Sequence, residues 1–335
     1  LTSQPNTKPV EFSFHNSSVA DLQDEWRRFT LSADDIALLN PNTGTMATFH
    51  NQRYAEITKA IYRRVPVLIQ EEPPQNHWGI SFLRMFHMAG DSHLFCTRDK
   101  LEAQGYVLQG NHFVRGDEHY LPLYEAKMMH QFTHRWATYE TNGKIRNMTP
   151  EELRDPNAMS IPRYWVDARD VQARLDFWDH GWLLGFRSIT RSTDERTAIF
   201  GVIPRVAIGG KLHLVFTAFK PQLVSTLIAN ANALIFDHIT RQKVGGTNLD
   251  LYIVKQLPVI PPHTYTQALL DFIVPRVLEL TYTAWDLQPF AQDLGYDEPP
   301  FVWDEGRRLQ IRCELDALYF HLYQIKREDV DYIME

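Results

Sequence analysis

Between positions 182 and 216 apolar and polar residues alternate with the short repeat of extended chain. Leu212, Leu214 and Phe216 share one face of a strand over 212–216, and 182–189 and 197–203 read as two more strands. After Pro221 the repeat lengthens, with Leu223, Leu227, Leu234 and Ile235 at helical spacing. Gly245 and Gly246 then break the chain ahead of a strand-like run over 249–254. Upstream, the turn Asn40-Pro41-Asn42-Thr43-Gly44 precedes a predicted helix over 52–64, set among short strands. Downstream of Pro261 and Pro262 the pattern is helical. Leu269, Leu270 and Ile273 lead into Pro275, whose ring and missing N–H should kink or divide the helix. Leu315, Leu318, Tyr319, Leu322 and Ile325 form a second apolar stripe that reads as core.

This punctuation separates a connector region over 1–116, a middle region over 117–262 and a helical extension over 263–335. The expected fold is α+β: a mixed, twisted sheet with a packed helix, flanked by an α/β connector and a helical C-terminal extension.

Composition narrows the class. With 335 residues and 44% hydrophobic content the chain can fill one large core or several smaller ones. Its apolar runs, such as 198–203, are far short of the roughly 20 residues of a membrane span. The polar start over 1–10 carries no secretory pattern. A cytoplasmic protein without membrane contact is expected, and the absence of an initiator Met suggests a piece of a longer chain. Cys96 and Cys313 have no partner at the spacing of a zinc knuckle or redox pair.

A net charge of −7 argues at first against nucleic acid, because phosphate binding releases counterions to Lys and Arg. The acid is concentrated late: 264–335 holds six basic and fourteen acidic residues. Within the rest, 187–211 is locally basic, with Arg187, Arg191, Arg196, Arg205 and Lys211 against Asp194 and Glu195. Arg241, Gln242 and Lys243, ahead of Gly245 and Gly246, are expected to add a second polar, basic loop beside it. Strands and the turns between them can present Arg to phosphates or guanine edges, while Gln can read adenine. These eight residues are the candidate DNA contacts; a solvated charged face is the alternative.

Other motifs carry less. Glu298-Pro-Pro-Phe301 approaches the base-holding motif of amino-methyl transfer, but Glu replaces the short polar residue and no glycine-rich cofactor turn precedes it. Asp117, Glu125 and Lys127 are the residue types of a metal-dependent nuclease, and strand alternation would put Glu125 and Lys127 on one face, as a simple salt bridge would. His130 and His134 stand at i, i+4 spacing without a third ligand, which favours packing or a DNA-facing role over zinc. Ser192 and Thr193 have no local base. No catalytic or metal-ligating residue is assigned.

The segment Pro122-Leu-Tyr-Glu-Ala-Lys-Met-Met-His130 resembles the opening of the specificity region in Type IIG-like adenine-specific DNA methyltransferases and related phage-defence methylases. Thr193-Asp-Glu-Arg-Thr197, Val202-Ile-Pro204, the run over 236–248 and Val254-Lys-Gln-Leu-Pro-Val-Ile-Pro-Pro262 resemble its later part. The closing Leu-Pro-Val-Ile-Pro-Pro is similar to the end of target-recognition domains in Type I specificity subunits. Leu318-Tyr-Phe-His-Leu-Tyr323 and 329–333 resemble the helical extension of the same enzymes. The resemblance implies a parent enzyme whose N-terminal half binds S-adenosylmethionine and methylates adenine, while the C-terminal half selects the sequence. This chain would supply recognition of double-stranded DNA without a cofactor of its own. Its partners would be the methyltransferase half and further subunits of a restriction-modification or phage-defence system. The alternatives are a nuclease built on Asp117, Glu125 and Lys127, and a protein-interaction scaffold of a defence complex.

Overall fold

The computed structural model describes residues 8–334. Its centre is a four-stranded antiparallel sheet in the order Phe200–Pro204, Trp182–Arg187, Leu212–Phe216, Ser81–Leu83. The first three strands are almost wholly buried on both faces, which explains why they read as near-continuous apolar runs. The register sets Leu184 opposite Val202 and Val215, and Gly185 opposite Gly201 and Leu214. A Cβ on Gly201 would lie 3.3 Å from the carbonyl oxygen of His130. That glycine lets the 128–133 segment pass close over the sheet.

A second sheet forms around Glu118–Tyr124. His112–Arg115 and Trp165–Asp167 pair with it antiparallel, and Ala207–Ile208 pairs with its end in parallel. Leu101, Tyr106, Phe113 and Trp165 fill a small core of their own here.

The helices cover the central sheet. Pro221–Asn232 opens on a proline at its first turn, where no N–H is needed, and is buried from Val224 onward. One extended residue, Ala233, separates it from Leu234–Lys243. Gln267–Thr281 packs on Pro221–Asn232, and Glu305–Leu322 packs on both Gln267–Thr281 and Leu234–Lys243. The result is the α+β architecture expected from the pattern.

The middle region takes its edge strand, Ser81–Leu83, from the chain before position 117. One apolar core runs through all three regions, including Phe29, Ile61, Leu123, Phe186, Ile235 and Leu315.

Two expectations are corrected. The run over 249–254 is not a strand: Leu251–Lys255 is a short helix with Ile253 and Val254 buried. A brief apolar stretch looks the same for a buried strand and a buried helix turn, so periodicity could not separate them. Pro275 does not divide its helix, which is continuous over Gln267–Thr281. Pro275 is exposed, so the carbonyl that loses its partner faces water, while Ile273, Val277 and Leu278 hold the helix in the core. The predicted helix over 52–64 is observed as Gln52–Tyr62, capped by Asn51, whose side chain accepts the Tyr54 N–H at 3.0 Å. Among the described residues no helix is long and apolar enough to cross a membrane.

Candidate nucleic-acid interface

The loop joining Trp182–Arg187 to Phe200–Pro204 carries Arg191 and Arg196, and its main chain is held from two sides. On one side Thr190 N–H donates to Thr247 O at 3.1 Å, and Leu249 N–H donates to Ser188 O at 2.7 Å. On the other side stands Asp237, a buried carboxylate of the Leu234–Lys243 helix. Its Oδ1 accepts the backbone N–H groups of Thr197 and Ala198, both at 2.7 Å. Its Oδ2 accepts Arg241 Nε at 2.8 Å, one helical turn on. Arg241 then donates to Ser192 O at 2.9 Å and to Glu195 O. Inside the loop Asp194 accepts the Arg191 N–H at 3.0 Å, and Thr197 Oγ1 donates to Arg191 O at 3.0 Å. A connection of this kind would fray without such partners; here it has the order of the sheet it leaves.

The eight candidate contacts separate into two groups. Arg191 and Lys211 are exposed, and Arg187 and Arg196 are half-buried. Lys211 Nζ donates to Asn248 Oδ1 at 3.0 Å. The other four are engaged internally and are withdrawn as contacts. Arg205 donates to Trp178 O, to Leu175 O at 2.8 Å and to Gln172 Oε1 at 3.0 Å. Arg241 braces the loop as described, and with Gln242 and Lys243 it ends the Leu234–Lys243 helix instead of forming a second loop. Gln242 is buried and accepts Thr58 Oγ1 at 2.8 Å. The Lys243 ammonium donates to Leu39 O, Asn40 Oδ1 and Gln256 O and lies over the Tyr62 ring. Burial pushes it down to about 7.

One basic residue that the sequence did not single out joins the first group. Arg312, on Glu305–Leu322, lines a cavity of about 10 Å³ together with Arg196, Phe132, Asn232 and Asp316. His130 is pushed down to about 4, first by burial and then by the charges of Arg187, Arg312 and Arg196. The charges of two arginines from the loop segment and one from the helical extension therefore act on one imidazole. Asp316 opposes Arg196 and Arg312; burial raises its carboxyl to about 6 even though the Leu234 N–H donates to it at 2.7 Å. The sequence hid Arg312 because it sits in the most acidic region of the chain, 264–335.

Ser192, Thr193 and Glu195 of the loop border a separate cleft of about 680 Å³, lined also by His50, Tyr54, Asp237, His238 and Arg241. Tyr54 stacks on His238 with ring centres 5.2 Å apart, and His238 is held uncharged by burial, down to about 4. With Arg241 committed to Asp237, that cleft offers phosphate no unpaired cation from this set.

The remaining motifs are structural. The strand Glu118–Tyr124 separates Asp117 from Glu125 by on the order of 20 Å, too far to share one metal ion. The chain leaves that strand before Glu125, and Ala126–Met128 is a 3-10 turn, so Glu125 and Lys127 do not alternate on a strand. Glu125 accepts Tyr139 OH at 3.1 Å. His130 and His134 do not share a helix face: a bridge pairs His130 with Thr133, and Phe132 has φ 57. His134 is fully buried, with Nε2 2.8 Å from Asp286 Oδ1. Among the described residues no group of three or more His, Cys, Asp or Glu gathers to hold a metal ion. In the Pro-Pro motif the Phe301 N–H donates to Tyr282 O at 2.9 Å and the Phe301 ring stacks on Tyr296. Those groups are packed among themselves and do not fit a base or S-adenosylmethionine site.

The chain matches no protein-family model and no curated protein.

Proposed function

We propose that the chain binds double-stranded DNA and selects the target sequence for an adenine-specific DNA methyltransferase of a restriction-modification or phage-defence system. The observation that carries this reading is the braced loop. Its main chain is fixed to Asp237, Arg241 and the 247–249 segment, while Arg191 projects from it and Arg187 and Arg196 stand at its base, none of them in an ion pair among the described residues. A rigid platform that displays cations without neutralising them suits a surface that meets phosphate in register, because little ordering cost remains at binding. The motifs over 122–130, 236–248 and 254–262 support the methyltransferase assignment by resemblance. Methyl transfer and S-adenosylmethionine belong, in this reading, to another part of the parent protein, and the chain works in cytoplasm beside it.

Fluorescence anisotropy with a labelled duplex of mixed sequence, over a series of NaCl concentrations, tests the reading. Binding that weakens steeply with salt is expected. A chain that leaves the duplex free at low salt would sink it. The methylated motif in a genome carrying the full-length gene then gives the target sequence.

A further inference from the structure

Arg187 Nε, Arg196 Nη1 and Arg312 Nε are buried and have no hydrogen-bond acceptor. Buried donors are nearly always paired in folded proteins, and a cluster that is not calls for a bound ion or water. Two of these side chains border the same 10 Å³ cavity, which has room for one water-sized atom. Each arginine remains half-exposed, so the group that completes the cluster can come from solvent. Two carboxylates act on the three charges, Asp194 on Arg187 and Asp316 on Arg196 and Arg312, and neither closes an ion pair. Asp316 is itself a weak counterion, because burial favours its neutral form and its Oδ1 is taken by the Leu234 N–H. His130, against the Trp136 ring at 4.4 Å, adds no charge at neutral pH. The cluster is a net cation short of acceptor oxygens.

We infer that Arg196 and Arg312 form a phosphate site, in which one non-bridging oxygen sits between them and the helix Glu305–Leu322 grips the same backbone that the loop meets. The inference rests on the DNA-binding reading for the source of the phosphate; free phosphate would meet the same donors. It gives the helical extension a direct role, since its Arg312 completes a site begun by Arg196 of the loop.

The test uses the full chain and Arg312→Gln and Arg312→Lys, with two readouts. The first is duplex anisotropy against NaCl. The second is thermal melting in inorganic phosphate against chloride at equal ionic strength. Arg312→Gln should weaken duplex binding about 3- to 10-fold at low salt and flatten the salt slope by about one unit. Arg312→Lys should keep most of both, and phosphate should raise the melting temperature of the wild type more than that of Arg312→Gln. If wild type and Arg312→Gln bind duplex equally and with equal slope, the site is overturned and the DNA reading stands. If the wild type ignores duplex but phosphate stabilises it through Arg312, the site stands with free phosphate as ligand and the DNA reading falls. No duplex binding and no phosphate effect overturns both. Should Arg312→Gln fail to fold, Arg196→Gln on the surface loop carries the same comparison.

Discussion

Asp237 shows how much one side chain decides. It holds two backbone N–H groups of the loop and orients Arg241, which holds two carbonyls more. Asp237→Ala would leave two buried donors unpaired at about 1–3 kcal/mol each, so a loss of roughly 2–6 kcal/mol in urea unfolding is expected, together with weaker duplex binding. Asp237→Asn keeps an acceptor and should lose less. Replacing Arg191 and Arg196 together with Ala should leave stability nearly unchanged and reduce the salt slope of duplex binding by roughly one to two units. Unaltered affinity and slope would remove the loop from the interface. Arg191 and Arg196 could be picked out in the sequence because the run around them is basic. The fates of Arg205, Gln242 and Lys243 could not, because their hydrogen-bond partners include Leu175, Thr58 and Leu39, which folding alone brings near.

Among the elements, the three central strands and the Pro221–Asn232 helix were readable because each buries a long apolar stretch with a clear period. The way they join was not. Asn232, at the end of that helix, accepts the Phe200 N–H and donates to Phe200 O, both at 3.0 Å, as a neighbouring strand would. It thereby covers an edge of the sheet that would otherwise expose unpaired backbone. Nothing in the local sequence of an asparagine announces this. Asn232→Ala should cost about 1–3 kcal/mol by leaving the buried Phe200 N–H without an acceptor, measurable as a lower urea midpoint with an unchanged slope. Gly201→Ala should be destabilising as well, by about 1–3 kcal/mol, because its methyl group would press on the His130 carbonyl.

For the whole molecule, the shared core matters more than the boundaries suggested by turns and prolines. A fragment over 117–262 lacks the Ser81–Leu83 edge strand and the helices that cover Pro221–Asn232. It should therefore be largely unfolded by circular dichroism, and a cooperative melt would contradict the description of one main core shared by the three regions. Stability should also fall with acid. His213 and His238 are buried and held down to about 4, as is the half-buried His130. Their unfolded value is near 6.5, so between about 6.5 and 4 the unfolded chain takes up protons that the folded chain refuses. The stability they allow is present above that window and is lost as pH falls through it, by about 2 kcal/mol at pH 5 for a fully buried imidazole. Asp316, raised to about 6, takes up its proton more readily when folded and offsets part of the loss. Urea unfolding at pH 7.5 and pH 5 should show the difference.

The braces on the 188–199 loop grip main-chain atoms: the N–H groups of Thr197 and Ala198 and the carbonyls of Ser192 and Glu195. A frame that holds only peptide groups is indifferent to which side chains the exposed positions 191, 193 and 195 carry. Substitutions there can accumulate in descendants of this protein without unfolding them, and each one changes the face offered to the outside. The outward face of the loop is thus free to change while the peptide frame behind it stays as it is, so variety in surface chemistry would be inherited separately from the fold.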